Sequence, residues 1–239
     1  MNFGEPIVML LIFIAFVGFL VLVRTTVSRR RKRRIRESAM NLATVLGFEI
    51  LEGVEAVKRS APAASEQAVM ENYEKLPGPL RRLVEKAAST VIAGTADGVR
   101  ITISLESRGS GKSQTTYTVV RADYAKPLPF DLRIGHEGAF TRLGKALFGL
   151  RDVEVGDEEF DRAVRIKAGD ETAAQVILGK PDARAAILSL LALSSSAFAT
   201  NSYVQWERQG IRFDESEIRA VIGTLVPVAR ALGNDKNFV

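Results

Sequence analysis

The chain has 239 residues, 33 of them Lys or Arg against 28 Asp or Glu, with one histidine and no cysteine. A hydrophobic share of 46% beside 26% charged residues is the composition of a folded chain and excludes disorder along its whole length. The missing cysteines exclude disulfides, thiolate zinc sites and cysteine nucleophiles, and a lone His136 excludes multi-histidine metal centres.

Residues 7–23 read IVMLLIFIAFVGFLVLV and carry no charge. At about 1.5 Å per residue this run reaches roughly 25 Å. That length predicts a transmembrane anchor over 1–24, with Ile7, Leu11, Phe16, Leu20 and Val23 in its apolar body. A cleaved leader would carry basic residues before the apolar run and small residues after it. Here Glu5 precedes the run and arginines follow it. Segment 25–36 holds Arg29, Arg30, Arg31, Lys32, Arg33 and Arg34. Such a cluster beside an anchor sets topology and meets anionic headgroups. The expected location is the inner or plasma membrane, with the N-terminus outside and the C-terminal domain cytoplasmic. The run also has the composition of a nucleic-acid patch. From Glu37 onward, however, there are 25 basic and 27 acidic residues, which argues against a nucleic-acid partner.

Residues 37–78 read as a helical stalk and linker. Ile35, Ala39, Leu42 and Leu46 form a narrow seam that ends at Gly47. The seam packs on its own domain or on another copy, so a homo-oligomer stays open. From Val54 the chain reads as a mobile connection, then a weak helix near 66–75, then a turn at 76–79.

Residues 79–239 read as a soluble α+β domain of antiparallel sheet packed with helices. Leu80, Leu83, Val84 and Ala87 mark an amphipathic helix. Strands are predicted over 90–94 and 99–105 around Asp97-Gly98, a hairpin signal. The alternation of Val99, Ile101, Ile103 and Leu105 implies one buried and one wet face. Further strands are expected at 115–122 and 130–134, and a short helix around Phe140 to Leu147. Phe160, Val164 and Ile166 lie in or near a strand, and 172–178 reads as a helical turn. Asp182 is expected to cap a helix running to Ala192. A last hairpin is expected between 198–208 and 211–213 around Gln209-Gly210. Asp214 and Glu217 have capping-box spacing ahead of a terminal helix with an apolar face of Ile218, Val221, Ile222, Leu225 and Leu232, and Pro227 inside it.

Four features could carry chemistry, and each has a structural reading beside it. Gly109-Ser110-Gly111-Lys112-Ser113 resembles the end of a phosphate loop. Glu106 stands where that pattern needs glycine, and strand-like residues follow where it needs a helix, so a hairpin loop fits better. His136 beside Glu137 is the one neutral-pH proton carrier, without an identifiable triad. Asp157 and Asp161 belong to an acidic cluster that lacks a calcium-loop pattern and reads as a turn or cap, with Phe160 entering the core. Trp206 shares a strand face with Val204 and reads as core, while Tyr203, Gln205 and Glu207 share the other face.

Val155 to Asp161 continuing to Val164-Arg165-Ile166, with the later helix 185–193 and a strand after it, resembles a group of uncharacterised bacterial proteins. These carry a membrane helix before a domain of unknown function. The resemblance implies bacterial membrane association and supplies no catalytic residues. The expectation is a single-pass, membrane-anchored protein whose cytoplasmic domain binds a protein partner or organises an assembly. No metal, cofactor or catalytic residue is expected. The alternatives are a tethered ligand- or nucleotide-binding sensor, using Lys112, His136, Asp157 or Asp161, and a module responsive to anionic lipid.

Overall fold

The computed structural model describes residues 33–87, 90–109, 113–136 and 150–233. The chain divides into two compact units, Met1–Asn41 and Leu42–Val239. Most of the expected anchor and basic cluster, from Ile7 to Lys32, lies outside the described residues, as do Lys112 and the helix expected around 140–147. No helix among the described residues is long and apolar enough to cross a membrane.

Helix α1 covers 33–46. In the first unit Arg33 pairs with Glu37 one turn on, at 2.8 Å. Ala39 and Leu42 of the predicted seam are buried, while Ile35 and Leu46 are half-buried. The helix stops at Gly47, whose φ of +69 suits a glycine C′ position.

The second unit is an α+β domain on one nine-stranded sheet. Its strands are β1 (Glu49–Leu51), β2 (Val91–Ala96), β3 (Val99–Arg108), β4 (Thr115–Asp123), β5 (Leu132–Gly135), β6 (Arg151–Asp152), β7 (Arg165–Ala168), β8 (Phe198–Thr200) and β9 (Tyr203–Gln209). They run in the order β1-β2-β3-β4-β9-β8-β5-β7-β6, and every pairing is antiparallel. The helices after α1 are α2 (Gly53–Ser60), α3 (Glu66–Glu74), α4 (Gly78–Ala87), α5 (Glu158–Ala163), α6 (Glu171–Leu178), α7 (Pro181–Leu193) and α8 (Glu215–Gly233).

The β2–β3 hairpin closes where Asp-Gly predicts. Asp97 and Gly98 both take positive φ, +50 and +80, the condition for the primed turn that matches strand twist. Register then assigns the faces. Ile101 opposes Ala122, Ile103 opposes Val120, and Trp206 opposes Val120 from the other side. This side of β3, β4 and β9 is apolar. Helix α8 lies across these strands and against α7. Ile218, Val221, Leu225, Val228 and Leu232 of α8, and Ile187 and Leu190 of α7, are buried. Each such side chain contributes about 1.5–3 kcal/mol by leaving water.

Several expectations are corrected. The segment read as a mobile connection is α2, with Ala56 and Val57 buried, and 49–51 joins the sheet edge. Residues 42–78 of the expected stalk and linker therefore belong to the second unit. Phe160 sits in α5 rather than a strand, and is 1% exposed. Asp182 does not cap α7: Lys180 occupies the N-cap, and Pro181 starts the helix with its preset φ. The last hairpin joins β8 to β9 through Asn201-Ser202, not around Gln209-Gly210. The Thr200 hydroxyl accepts the N–H groups of Ser202 and Tyr203, both at 3.2 Å, and so makes the turn. Gly210 ends β9 instead. Its N–H donates to the Thr116 carbonyl at 2.8 Å and its φ of +96 turns the chain off the sheet. The capping box forms by half. Asp214 accepts from the Glu217 N–H at 2.9 Å, but the Glu217 carboxylate goes to Arg208.

Candidate functional site

The face of the sheet expected to be wet is a charge network. Alternation puts Arg100, Thr102, Glu106 and Arg108 of β3 on the side of Tyr117, Arg121 and Asp123 of β4, and of Tyr203, Gln205 and Glu207 of β9. Thr102, Arg121, Asp123, Gln205 and Glu207 are all buried.

Helix α2 covers part of this face, with Ala56 packed on Val91 and Ala93. Its C-terminal carbonyls are capped from the sheet. Arg121 donates to the carbonyls of Arg59 (3.1 Å), Ser60 (2.8 Å) and Ala61 (2.8 Å). Arg100 donates to the Ala61 carbonyl at 3.0 Å, to Asp123 at 2.6 Å and to Glu66 of α3 at 2.5 Å. A helix end leaves its last carbonyls without intrahelical partners, and two arginines supply them here. Burial holds the Arg121 guanidinium below the ordinary arginine range, with Asp123 opposing that shift. Tyr203 lies 5.5 Å from that guanidinium, and burial raises its phenol pKa.

At the other end Arg108 forks onto Glu207 at 2.7 and 3.0 Å and reaches Glu106 at 2.9 Å. Its guanidinium stacks 4.9 Å from the Tyr117 ring. The hydrogen bonds it donates to Glu207 are the main cause of its raised pKa. Each carboxylate on this face is thus committed to an arginine, and the arrangement latches α2 and α3 to the sheet.

Concavities open beside α8 among the described residues. One is a groove of about 430 Å³ beside α8, lined by Leu46, Phe48, Ile222, Val226 and Pro227, with Arg219 and Arg230 at its rim. Phe48 enters because Gly94 leaves room for it; a Cβ at Gly94 would stand 2.1 Å from the ring. Pro227 has no N–H, so the Gly223 carbonyl lacks its ordinary helical donor. Nothing stands within 4 Å of where a Gly223 Cβ would be. Val45, beside Leu46, is 46% exposed. Another is a cleft of about 500 Å³ at the far end of β9.

The sequence candidates fall elsewhere. His136 is half-buried, with Nε2 3.2 Å from the Leu191 carbonyl. Asp157 caps α5 by accepting from the Phe160 N–H at 3.1 Å and pairs with Arg184 at 3.1 Å. Asp161 accepts the N–H groups of Val155 and Gly156, each at 3.0 Å. The acidic cluster is a cap and turn, as its spacing suggested. No hydrogen bond or ion pair joins His136 to either aspartate, and no group among the described residues could hold a metal ion. The loop holding Lys112 joins β3 to β4 in register, Arg108 opposite Thr115, so a strand follows it rather than the helix a phosphate loop needs. Sequence reasoning missed the arginine network. Its signal was present as mostly polar residues at alternate positions of β3, β4 and β9, among them Arg100, Glu106, Arg108, Arg121, Asp123 and Glu207.

No protein-family model matches the chain, and no curated protein matches it. A solved structure similar to it is the mycobacterial trehalose monomycolate transport factor A, TtfA, at 9% identity and a TM-score of 0.47, covering 84% of this chain and 95% of that one. A likeness of that degree carries no argument about what this chain does.

Proposed function

We infer that the chain is a single-pass, membrane-anchored protein of bacterial type whose α+β domain is a protein-interaction or assembly module. The observation that carries this reading is the apolar groove between the end of α1, the β2–β3 turn and α8. Leu46 and Phe48 of its lining belong to the first residues of the second unit. Val45, next to the lining residue Leu46 in the chain, is exposed. Gly223, whose carbonyl has no Pro227 N–H to accept from, is part of its lining. Groove-binding partners commonly present an apolar helix face. The partner suited here is a protein segment with small apolar residues and a donor for Gly223.

The test is site-specific photocross-linking in native membranes. A photoreactive residue is placed at Val45 or Gly223 of the full chain, and as a control at exposed Lys180. Capture of one defined protein from the first two positions and not from the third supports the reading. Equal capture from all three, or none, sinks it.

A further inference from the structure

The charged face of the sheet continues past β9. Tyr203 of β9 stands opposite Asp123 of β4, and the β8–β9 register, continued by one step, sets Thr200 level with Tyr203. Arg133 of β5 then stands opposite Thr200 on one side and Lys167 of β7 on the other. Directly opposed residues share a face, so these five form one row. Charges along the row are paired except at Arg133. Asp123 is held by Arg100 at 2.6 Å and by Arg121 at 3.1 Å, and Lys167 pairs with Asp152 at 3.3 Å. Arg133 is half-buried, yet it has no carboxylate partner among the described residues, exposed Asp131 included. Its Nη1 donates only to neutral oxygens, the Leu132 carbonyl at 2.8 Å and the Asn201 side chain at 3.2 Å. Its Nε is sealed from water without an acceptor, whereas Nη2 has no partner and is not sealed. A charge drawn out of water without a counterion is unfavourable. Two strands away the Tyr203 ring is held by Phe198, at 6.2 Å between centroids, and by the Arg121 guanidinium, while its hydroxyl has no partner among the described residues and is not sealed. Burial raises this phenol pKa, with Arg121 and then Arg133 opposing the shift, so at neutral pH it is a hydroxyl donor in the field of two guanidinium groups. Thr200, the short residue between, turns its own hydroxyl to the Tyr203 carbonyl at 3.1 Å.

We propose that Arg133 and Tyr203 bind a small oxyanion over Thr200. Arg133 Nη2 and the Tyr203 hydroxyl each donate to one of its oxygens. The uncompensated guanidinium selects negative charge, and two separate donors select an ion with more than one acceptor oxygen. Such charge-assisted bonds are the strong kind. The site is on the other face of the sheet from the groove beside α8, so it stands or falls independently of the interaction reading.

The full chain in a non-ionic, phosphate-free detergent is titrated with sodium phosphate at pH 7 by calorimetry, against sodium chloride at matched ionic strength. The expected result is a saturable heat with phosphate and none with chloride. Arg133→Gln should weaken phosphate about 10-fold, the value of one charged hydrogen bond, and Tyr203→Phe about 5-fold, the value of a neutral one. Arg165, exposed and opposite Gly135 on the neighbouring strand, is the control for general charge, and Arg165→Gln should leave the affinity unchanged. Adding phosphatidylglycerol separates the sources of the oxyanion: unchanged phosphate binding assigns the site to a dissolved ion, and competition that requires Arg133 assigns it to a lipid headgroup. An equal response to chloride, Arg165→Gln weakening phosphate as much as Arg133→Gln, or no saturable heat would each overturn the assignment. If Arg133→Gln fails to fold, Tyr203→Phe decides it, since undiminished phosphate binding by that variant removes the second donor from the site.

Discussion

Tyr124→Phe isolates the physics of the buried polar layer. Tyr124 follows β4, is 4% exposed, and its hydroxyl has no hydrogen-bond partner. Its N–H donates to the Ser202 carbonyl at 2.9 Å, and Gly233 at the end of α8 packs against its Cβ, so the ring is held. Sealing a hydroxyl from water without a partner costs about 1–3 kcal/mol. Phenylalanine keeps the ring and removes that cost. The variant should therefore be neutral or more stable by up to about 2 kcal/mol at pH 7. The pH dependence has a definite sign. Burial raises the Tyr124 phenol well above its ordinary value of 10.0. Above pH 10 the unfolded chain releases this proton while the folded one retains it. Stability is thus intact below pH 10 and falls as pH climbs from there toward the folded pKa. Tyr124→Phe should flatten this alkaline loss, leaving the part due to Tyr203, whose phenol is also raised by burial. Urea unfolding of the full chain, followed by Trp206 emission at neutral pH and above pH 10, measures both effects. A loss of more than about 1 kcal/mol at pH 7, or an unchanged alkaline slope, would show that the hydroxyl has a partner and refute the reasoning.

Three other outcomes follow from the same geometry. Gly94→Ala forces a Cβ against the Phe48 ring and should cost about 1–3 kcal/mol by overpacking; adding Phe48→Ala should recover part of it, and chemical denaturation of the single and double variants reads the coupling. Arg121→Met removes the cap on α2 and leaves Asp123 with less compensation, a loss of about 3–5 kcal/mol for breaking a buried pair; hydrogen exchange should rise first across 53–74, and uniform exchange over β3 and β4 would argue against the latch. Asp214 is held below the usual carboxylate range first by the Ser216 hydroxyl and then by backbone N–H groups, so its capping is present at neutral pH and lost as pH falls through that lowered pKa; Asp214→Asn should flatten the acid limb of a thermal-unfolding profile.

Local signals were read from the sequence where the deciding chemistry is local. Asp97-Gly98 gave the hairpin because its dihedral demand is internal to the turn. Asp214 gave the start of α8 because its carboxyl reaches a N–H three residues on. The alternation in β3 gave the apolar face. By itself the sequence also determines the charge-free run at 7–23 and the basic residues after it. What the tertiary structure alone decided depends on partners far apart in the chain. Helix α2 exists where the composition looked mobile because Arg121, some 60 residues away, caps its carbonyls. The wet face of β3 is buried because that helix lands on it. The β8–β9 turn sits at Asn201-Ser202, not around Gln209-Gly210, because the Thr200 hydroxyl accepts the N–H groups of Ser202 and Tyr203. Neither the groove nor the cleft has a motif, because each is assembled from separate elements around α8. Helical and strand periods are carried by neighbouring residues, whereas the walls of a cavity are chosen by strand order and helix crossing.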